Sequence, residues 1–322
     1  MEDSLTFDIL TGILMIMKNI NTAVVGVGRL GSIHARLYKQ ISNLVCVCDI
    51  DRKREHNILN TIKRIPFETD YRKIKEKYNL EAVSIATPTS SHFSQAEFFL
   101  KNGIHCLVEK PLVTDLKQAR YLLHLAKKKN LVFHVGLSER FNSAYQTVKN
   151  KIKKPHFIES HRLSPYPYRS LDISVVLDLM IHDLDITLDL VGEKIKKVEA
   201  VGVSVLSKSL DIANARITFS GGAIANITAS RISKESVRKI RVFFSSAYAS
   251  LDYAHQSVEI YRKTNKNKIN SQKLAIKKEE PLKKELEKFL REIKSGRPDY
   301  TSTDNAIKAL ELALKIEKLA QE

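Results

Sequence analysis

From Asn21 to Gly136, short apolar segments alternate with amphipathic segments that are typical of helices. The apolar segments are typical of strands, and they read TAVVGVG, NLVCVCD, EAVSIAT, IHCLVEK and LVFHVG. Strands that are apolar along their whole length occur in parallel sheets with both faces covered by helices. The alternation therefore predicts an α/β fold that begins with a doubly wound parallel sheet of the Rossmann type.

A glycine-rich turn follows the first predicted strand and opens the first predicted helix. Its letters are GVGRLG, with Gly26, Gly28 and Gly31 at the patterned positions and Arg29 and Leu30 between them. In such a turn the first glycine permits the tight bend, the second lets a pyrophosphate approach the backbone, and the third allows close helix–strand packing. The helix N-terminus then faces the anion. We predict that these five residues bind a dinucleotide.

An acidic residue at the end of the second predicted strand bears on which dinucleotide is bound. Asp49 lies eighteen residues after Gly31, and a carboxylate there accepts hydrogen bonds from the ribose hydroxyls. Because it also repels a 2′-phosphate, Asp49 favours NAD over NADP. The basic residues that follow weaken this preference and leave NADP open; they are Arg52, Lys53 and Arg54.

Two further turns follow predicted strands at the same edge of the sheet, where open α/β sheets bind their ligands. The letters ATPTSSH supply Thr87, Pro88 and His92 as cofactor-binding candidates, although His92 could equally be a helix residue without a ligand. The letters EKP supply Glu109, also a cofactor-binding candidate, and Lys110, whose ammonium could polarise a substrate oxygen. A plain surface charge is the alternative for Lys110.

The pattern changes after Gly136. The later strand-type segments include VEAVGVSVL, IANARITF, AIANITAS and IRVFFSS, separated in places by hairpin-like punctuation. They predict a mostly antiparallel sheet. We therefore predict a dinucleotide-binding domain over 17–136 and a substrate-binding α/β domain over 137–322. Residues 1–16 are expected to be a disordered extension or to precede the true start of the chain.

The segment 174–192, SVVLDLMIHDLDITLDLVG, predicts a largely apolar helix that carries several acids. Asp178 and His182 lie one turn apart on one face, which Asp185 and Asp189 continue. Lys and Arg make up 53 of 322 residues, so about four are expected in 24 positions, yet 170–193 holds none. A face that only contacts water should carry lysines in this chain. The composition favours a helix beside a site whose cation comes from elsewhere.

Proton transfer is the chemistry that this pair of side chains suits best. A histidine with an ordinary pKa near 6.5 can accept a hydroxyl proton at neutral pH while hydride leaves the same carbon. A carboxylate one turn away can orient the ring and stabilise the imidazolium. A metal site would need a third and a fourth ligand, which the sequence does not supply at a suitable spacing, so we predict no metal.

The motifs GVGRLGSIHA, CDID, ATPTSSH, EKP and LDLMIHDLD occur in this order, and with them the chain from Lys18 onward resembles the Gfo/Idh/MocA family of sugar and cyclitol oxidoreductases. The resemblance implies a Rossmann domain and an α/β domain with a large open sheet that often serves oligomerisation, and hence a homodimer or homotetramer. It implies that Lys110, Asp178 and His182 are the catalytic set. His182 would be the general acid/base, Lys110 would hold the reacting oxygen, and Asp178 would orient and bind the substrate.

The letters ERFNSAYQTVKN and ESHRLSPYPYRS look most like a subgroup that acts on nucleotide sugars. That resemblance implies oxidation of the 3-hydroxyl of UDP-N-acetylglucosamine, in the amino-sugar pathway of lipid A. Relatives have FNP where this chain has Ser143 after Phe141 and Asn142, so that loop is expected to be less rigid. The substrate-binding candidates are Arg140, Asn142, Arg162, Tyr166 and Tyr168, with packing in a proline-rich loop as the alternative for the two tyrosines.

Two other functions stay open at this point. One is an inositol or free-sugar dehydrogenase of the same family, and the other is a dinucleotide-binding regulator without turnover. The net charge of +17 suits a nucleic acid, a membrane surface or an anionic substrate. The basic run from Arg262 to Lys278 lacks the interleaved aromatic residues that stack on bases, and no segment is apolar enough to span a bilayer. The basic run is therefore either a solvated, lysine-rich loop or the source of a field that attracts a phosphorylated substrate, and we expect no nucleic acid and no membrane partner. Three cysteines are too few for a disulfide framework and favour the cytoplasm.

Overall fold

The computed structural model describes residues 18–167, 173–245, 247–264 and 268–322. The predicted extension over 1–16 and the substrate-binding candidate Tyr168 lie outside these residues. The chain divides into two compact units by its internal contacts. The first unit comprises the chain up to Gly136 together with Leu282–Asp304, and the second comprises Leu137–Pro281 and Asn305–Glu322.

The first unit contains a six-stranded, wholly parallel sheet with the strand order β3-β2-β1-β4-β5-β6. Its strands are β1 (Asn21–Val25), β2 (Asn43–Cys48), β3 (Phe67–Glu68), β4 (Ala82–Ile85), β5 (His105–Glu109) and β6 (Phe133–Gly136). Its helices include α1 (Arg29–Ile41), α2 (Arg54–Thr61), α3 (Ile74–Tyr78), α4 (Thr89–Lys101) and α5 (Leu116–Lys128). The order changes direction between β1 and β4, and ligands of such sheets bind at that switch point. The predicted doubly wound Rossmann sheet is confirmed.

The second unit contains an eight-stranded sheet with the order β14-β13-β12-β11-β7-β10-β9-β8. Its strands are β7 (Pro155–Leu163), β8 (Ile195–Val203), β9 (Ile212–Phe219), β10 (Ile224–Ser230), β11 (Val237–Phe244), β12 (Ala247–Asp252), β13 (Ser257–Lys263) and β14 (Ile269–Lys273). All neighbours are antiparallel except β7 and β10. The large, mostly antiparallel sheet predicted for this part of the chain is confirmed.

The helix predicted over 174–192 is built from two kinds of helical turn. A π-helix spans Val176–Met180, and the segment continues as an α-helix. With the short helix that precedes β7, the helices here are α6 (Ser143–Val148) and α7 (Ile181–Val191). Gly192, at φ 68°, ends α7 in the left-handed conformation that glycine adopts without strain. Single π turns are frequent at functional sites, and Asp178 lies inside this one.

Two helices close the chain, α8 (Pro281–Ser295) and α9 (Thr301–Leu319). The structure differs here from the predicted domain over 137–322, because α8 buries Leu286, Phe289 and Leu290 in the hydrophobic core of the first unit. A polar contact supports the same packing, since His134 Nε2 of β6 lies 2.9 Å from Glu292 Oε2. In the described part of the chain, no helix combines the length and the apolar character that crossing a membrane requires.

Candidate active site

The glycine-rich turn between β1 and α1 is shaped by contacts that only glycine permits. Gly26 has φ +87°, and a Cβ there would lie 2.7 Å from the backbone of Ala86. A Cβ on Gly31 would lie 1.7 Å from the carbonyl oxygen of Gly26. At Gly28, by contrast, the nearest atom to an added Cβ is Arg54 Nη1 at 3.5 Å. The first and third glycines are therefore required by the fold, and the second leaves space beside the backbone.

The start of α1 fits the pyrophosphate of a dinucleotide. Its N-cap residue, Gly28, makes no side-chain capping hydrogen bond, so the N–H groups of the first turn keep their capacity to bind an anion. Arg29 and Leu30, the next two residues, are both exposed. The five predicted residues of this turn thus lie together at the switch point of the sheet, as a dinucleotide site needs.

Asp49 also holds the glycine-rich turn in place. Its Oδ2 accepts a hydrogen bond from Val27 N at 2.8 Å, and its Oδ1 accepts one from Asp51 N at 3.0 Å. Arg54 Nε lies 3.5 Å from Asp49 Oδ2. Each carboxylate oxygen has two lone pairs, so these contacts leave Asp49 able to accept hydrogen bonds from a ribose. The guanidinium of Arg54 beside Asp49 weakens the repulsion between Asp49 and a 2′-phosphate.

The turn after β4 and the helix that follows it carry Thr87 and His92, whose side chains bond within the first unit. The Thr87 hydroxyl donates to Gln95 Oε1 at 2.8 Å, so its proton is used within the unit. His92 is 1% exposed, and burial lowers its pKa. Both ring nitrogens of His92 face backbone carbonyl oxygens. These contacts give His92 a role within the fold, which is the alternative that the sequence left open beside a cofactor contact. Pro88 stands just before α4 as its N-cap residue.

The turn after β5 carries Glu109 and Lys110. The Glu109 carboxylate is buried; its Oε1 lies 2.9 Å from His34 Nε2, and its Oε2 accepts from Lys110 N at 3.3 Å. Gly136 makes room for it, because a Cβ there would lie 2.7 Å from Glu109 Oε1. His34 and Gly136 were not among the residues predicted from the sequence. The only signal for His34 was its place in GVGRLGSIHA, on the helix that the glycine-rich turn opens.

In the second unit, the aspartates of α7 are neutralised by arginines from neighbouring elements. Arg140 Nε lies 2.5 Å from Asp185 Oδ2, and Arg140 Nη1 lies 3.0 Å from Asp189 Oδ1. Arg162 of β7 lies 2.7 Å from Asp183 Oδ2 through its Nε. The cations that the lysine-free segment implied are therefore supplied from within the same unit, by side chains that lie before the helix in sequence.

Three of the substrate-binding candidates make ion pairs or hydrogen bonds within the second unit. The Arg162 side chain is 4% exposed and also pairs with Glu139. Burial alone would lower the pKa of Arg162, but the two carboxylates outweigh it and raise that pKa. Asn142 is buried, caps α6 through Ala144 N and donates to Tyr253 O at 3.1 Å. Arg162 and Asn142, like Arg140, are thus engaged with other residues of the unit.

Asp178 and His182 lie on the N-terminal part of this helical segment, and both are half-buried. Tyr166, after β7, is half-buried as well. The exposure of Asp178 and His182 separates them from Asp183 and Asp185, which are each 1% exposed. Partial exposure on an otherwise apolar helix suits groups that must reach a substrate. Within the described ranges, no cluster of three or more His, Cys, Asp or Glu side chains could hold a metal ion.

Comparison with known proteins gives two family matches along the chain. Residues 20–137 match the oxidoreductase family with an NAD-binding Rossmann fold, Gfo/Idh/MocA, and residues 149–250 match a C-terminal domain of that family. The chain is 35% identical over 306 residues to UDP-N-acetylglucosamine 3-dehydrogenase of Acidithiobacillus ferrooxidans, covering 93% of this chain and 97% of that protein. It is 25% identical to myo-inositol 2-dehydrogenase of Thermotoga maritima, covering 93% and 96%.

Solved structures resemble this chain over most of its length. The structure of the Acidithiobacillus ferrooxidans enzyme has a TM-score of 0.87 at 34% identity, covering 94% of this chain and 98% of that one. Levoglucosan dehydrogenase in complex with NADH and levoglucosan has a TM-score of 0.84 at 17% identity, covering 94% and 97%. At that identity the second likeness concerns the fold alone.

Replacing Gly28 with alanine tests whether its open side receives the pyrophosphate. The added methyl lies 3.5 Å from its nearest neighbour, so we expect Gly28→Ala to fold like the parent protein. We expect its affinity for NADH to fall about tenfold or more, because the methyl occupies space that the pyrophosphate needs. Titration by NADH fluorescence measures the affinity. Undiminished binding by this variant would place the pyrophosphate elsewhere. Gly31→Ala is the contrasting variant, and we expect its unfolding temperature to fall well below that of the parent, because its Cβ would lie 1.7 Å from the carbonyl oxygen of Gly26.

The ion pair of Asp189 predicts a specific loss of stability in acid. Burial opposes ionisation of Asp189, but the charge of Arg140 and the hydroxyl of Tyr145 outweigh it and lower its pKa. A carboxyl whose pKa is lowered by folding stabilises the protein above its unfolded value, about 3.9, and loses that contribution as pH falls through the folded value. We expect Asp189→Asn to destabilise the protein at neutral pH and the difference to shrink below about pH 4.

Thermal unfolding of both proteins across this pH range measures the difference. Glu199→Gln is the matched control, because the exposed pair of Glu199 with Lys197 should contribute little at any pH. A gap between parent and Asp189→Asn that is the same at acidic and neutral pH would show that the charge of Asp189 is not its cause.

Proposed function

Because this chain belongs to the Gfo/Idh/MocA family of NAD-binding oxidoreductases, we propose that it oxidises the 3-hydroxyl of a nucleotide sugar, with UDP-N-acetylglucosamine as the expected substrate. The observation that carries the proposal is the 35% identity to UDP-N-acetylglucosamine 3-dehydrogenase over 93% of the chain. The match to myo-inositol 2-dehydrogenase has similar coverage at 25% identity. Identity is therefore higher to the enzyme named for a nucleotide sugar than to the one named for a cyclitol.

The side chains needed for the reaction are present at the family positions. NAD, when bound, supplies the acceptor for the hydride that leaves the sugar carbon. His182 takes the proton of the sugar hydroxyl, and the carboxylate of Asp178 orients the ring and stabilises the imidazolium. The ammonium of Lys110 stabilises the negative charge that develops on the reacting oxygen. The roles of His182 and Lys110 come from the family resemblance, which also implies that Asp178 orients and binds the substrate. The role of Asp178 toward the ring comes from the chemistry of the pair.

Recognition of the diphosphate is not assigned to Arg140 or Arg162. Both guanidinium groups are matched by buried carboxylates, and withdrawing one partner from a buried ion pair is strongly unfavourable. Tyr166, which is half-buried, stays among the candidates for substrate contact. The remaining positive charge of the protein favours an anionic substrate by long-range attraction.

The proposal includes a cytoplasmic homodimer or homotetramer. Free, buried thiols support the reducing compartment, and they are Cys46, Cys48 and Cys106. Self-association rests on the family resemblance, in which the open face of the large sheet serves oligomerisation. Light scattering on the purified protein measures the oligomeric state directly.

A substrate panel tests the substrate class. The purified protein is mixed with NAD and, in separate reactions, UDP-N-acetylglucosamine, free N-acetylglucosamine or myo-inositol, and the NADH absorbance is followed. We expect the highest kcat/KM with the nucleotide sugar, because binding energy from the distant nucleotide contributes to the rate at the reacting carbon. Turnover of myo-inositol with none of the nucleotide sugar would overturn the substrate class and keep the family.

His182→Ala tests the proposed general base. Loss of a positioned general base should lower kcat about 10²-fold to 10⁴-fold, while the affinity for NADH should be unchanged, because His182 lies outside the Rossmann unit. His255→Ala is the control, since that side chain is 79% exposed and pairs with Asp252 in a turn. A His182→Ala protein with the kcat of the parent would remove His182 from the mechanism.

A further inference from the structure

The ring nitrogens of His92 face backbone carbonyl oxygens from two turns of the first unit. Its Nε2 lies 2.9 Å from Thr87 O, in the turn after β4. Its Nδ1 lies 3.0 Å from Pro111 O and 3.2 Å from Leu112 O, in the turn after β5. Three carbonyl oxygens around the two ring nitrogens indicate that His92 makes polar contacts and does not only fill space in the core. The turn that it reaches is the one that carries Lys110.

The other side of the Lys110 turn is held by a second buried histidine. His34, which is 0% exposed, lies 2.9 Å from Glu109 Oε1, and Glu109 Oε2 accepts from the amide of Lys110. The chain entering Lys110 is therefore tied to α1, and the chain leaving it is tied to His92 on α4. If the link to His92 is removed, the carbonyl groups after Lys110 lose their side-chain donor.

We propose that His92 is a positioning residue, which holds the backbone after Lys110 so that the ammonium of Lys110 is placed correctly against the reacting oxygen. A neutral imidazole carries one N–H, and with the proton on Nδ1 it donates to the carbonyls of Pro111 and Leu112. A displacement of about 1 Å in a group that contacts the substrate can cost about 10²-fold in rate. The inference rests on the proposed function, because it requires Lys110 to act in catalysis.

Three variants of His92 separate this role from cofactor binding. His92→Leu keeps much of the volume and removes the donor, and His92→Gln retains an amide donor. His92→Asn, with a shorter amide, is the milder replacement if the leucine variant does not fold. We expect kcat to fall about tenfold to 10²-fold in His92→Leu, with partial recovery in His92→Gln. The dissociation constant for NADH, measured by fluorescence, should stay within about twofold of the parent, because both ring nitrogens of His92 face backbone carbonyl oxygens.

His134→Leu is the matched control for loss of a buried histidine. His134 is 4% exposed on β6, also in the first unit, and bonds to Glu292 at 2.9 Å. We expect His134→Leu to lower the unfolding temperature at least as much as His92→Leu and to leave kcat near that of the parent. Equal falls of kcat in the two variants would assign the effect to general destabilisation and overturn the positioning role. A fall in NADH affinity that matched the fall in kcat would make His92 a cofactor contact instead.

Lys110→Met distinguishes failure of this inference from failure of the proposed function. If Lys110→Met keeps the activity of the parent, the catalytic role of Lys110 is wrong, and the role of His92 is wrong with it. If Lys110→Met is inactive while folded His92→Leu has the kcat of the parent, only the positioning role is overturned. Loss of kcat in both, with recovery in His92→Gln, is the expected result.

Discussion

Charge neutralisation inside the second unit is the constraint on which the candidate catalytic helix depends. A carboxylate buried without a partner is strongly destabilising, because its desolvation is not offset. Asp183 and Asp185 are each 1% exposed on a helix without lysine or arginine, so the helix requires cations from elsewhere. Arg140 and Arg162 supply them. The helical segment that carries Asp178 and His182 is thereby fixed against β7 and the turn that follows Gly136.

In the first unit, the candidate cofactor site depends on the close approach of backbone segments. Gly26 and Gly31 allow the turn after β1 to lie against Ala86 and the start of α1, and no side chain caps that helix. The same strand ends bring the turns at Thr87 and Lys110 together, and two histidines then hold the second of them. The glycines, which lack side chains, shape the candidate cofactor site. Buried polar side chains hold the turn that carries Lys110, the residue proposed to act on the substrate.

Features that depend on a local pattern could be predicted from the sequence. Contacts between residues far apart in the chain could not. Continuous apolar strands and GVGRLG were sufficient for the parallel sheet and its ligand-binding edge. The pairing of Arg140 with Asp185 joins residues 45 apart, so the sequence could not show that two arginines predicted to bind the substrate also pair with buried carboxylates. The predicted domain over 137–322 likewise did not separate α8 from the second unit, because hydrophobic periodicity does not say which of two cores the apolar face of a helix enters. The π turn at Asp178 has no recognised sequence signal.

Exposure decides what each histidine near the predicted motifs can do. His34 and His92 are 0% and 1% exposed; Nε2 of His34 faces a carboxylate, and both ring nitrogens of His92 face backbone carbonyls of their own unit. Burial also lowers the pKa of His92, which disfavours the imidazolium that a general base must form. His182 is half-buried on a helix whose deeper acids are already matched by arginines. A proton acceptor has to be reached by the substrate, and of these three histidines His182 is the one whose exposure is compatible with the proposed role.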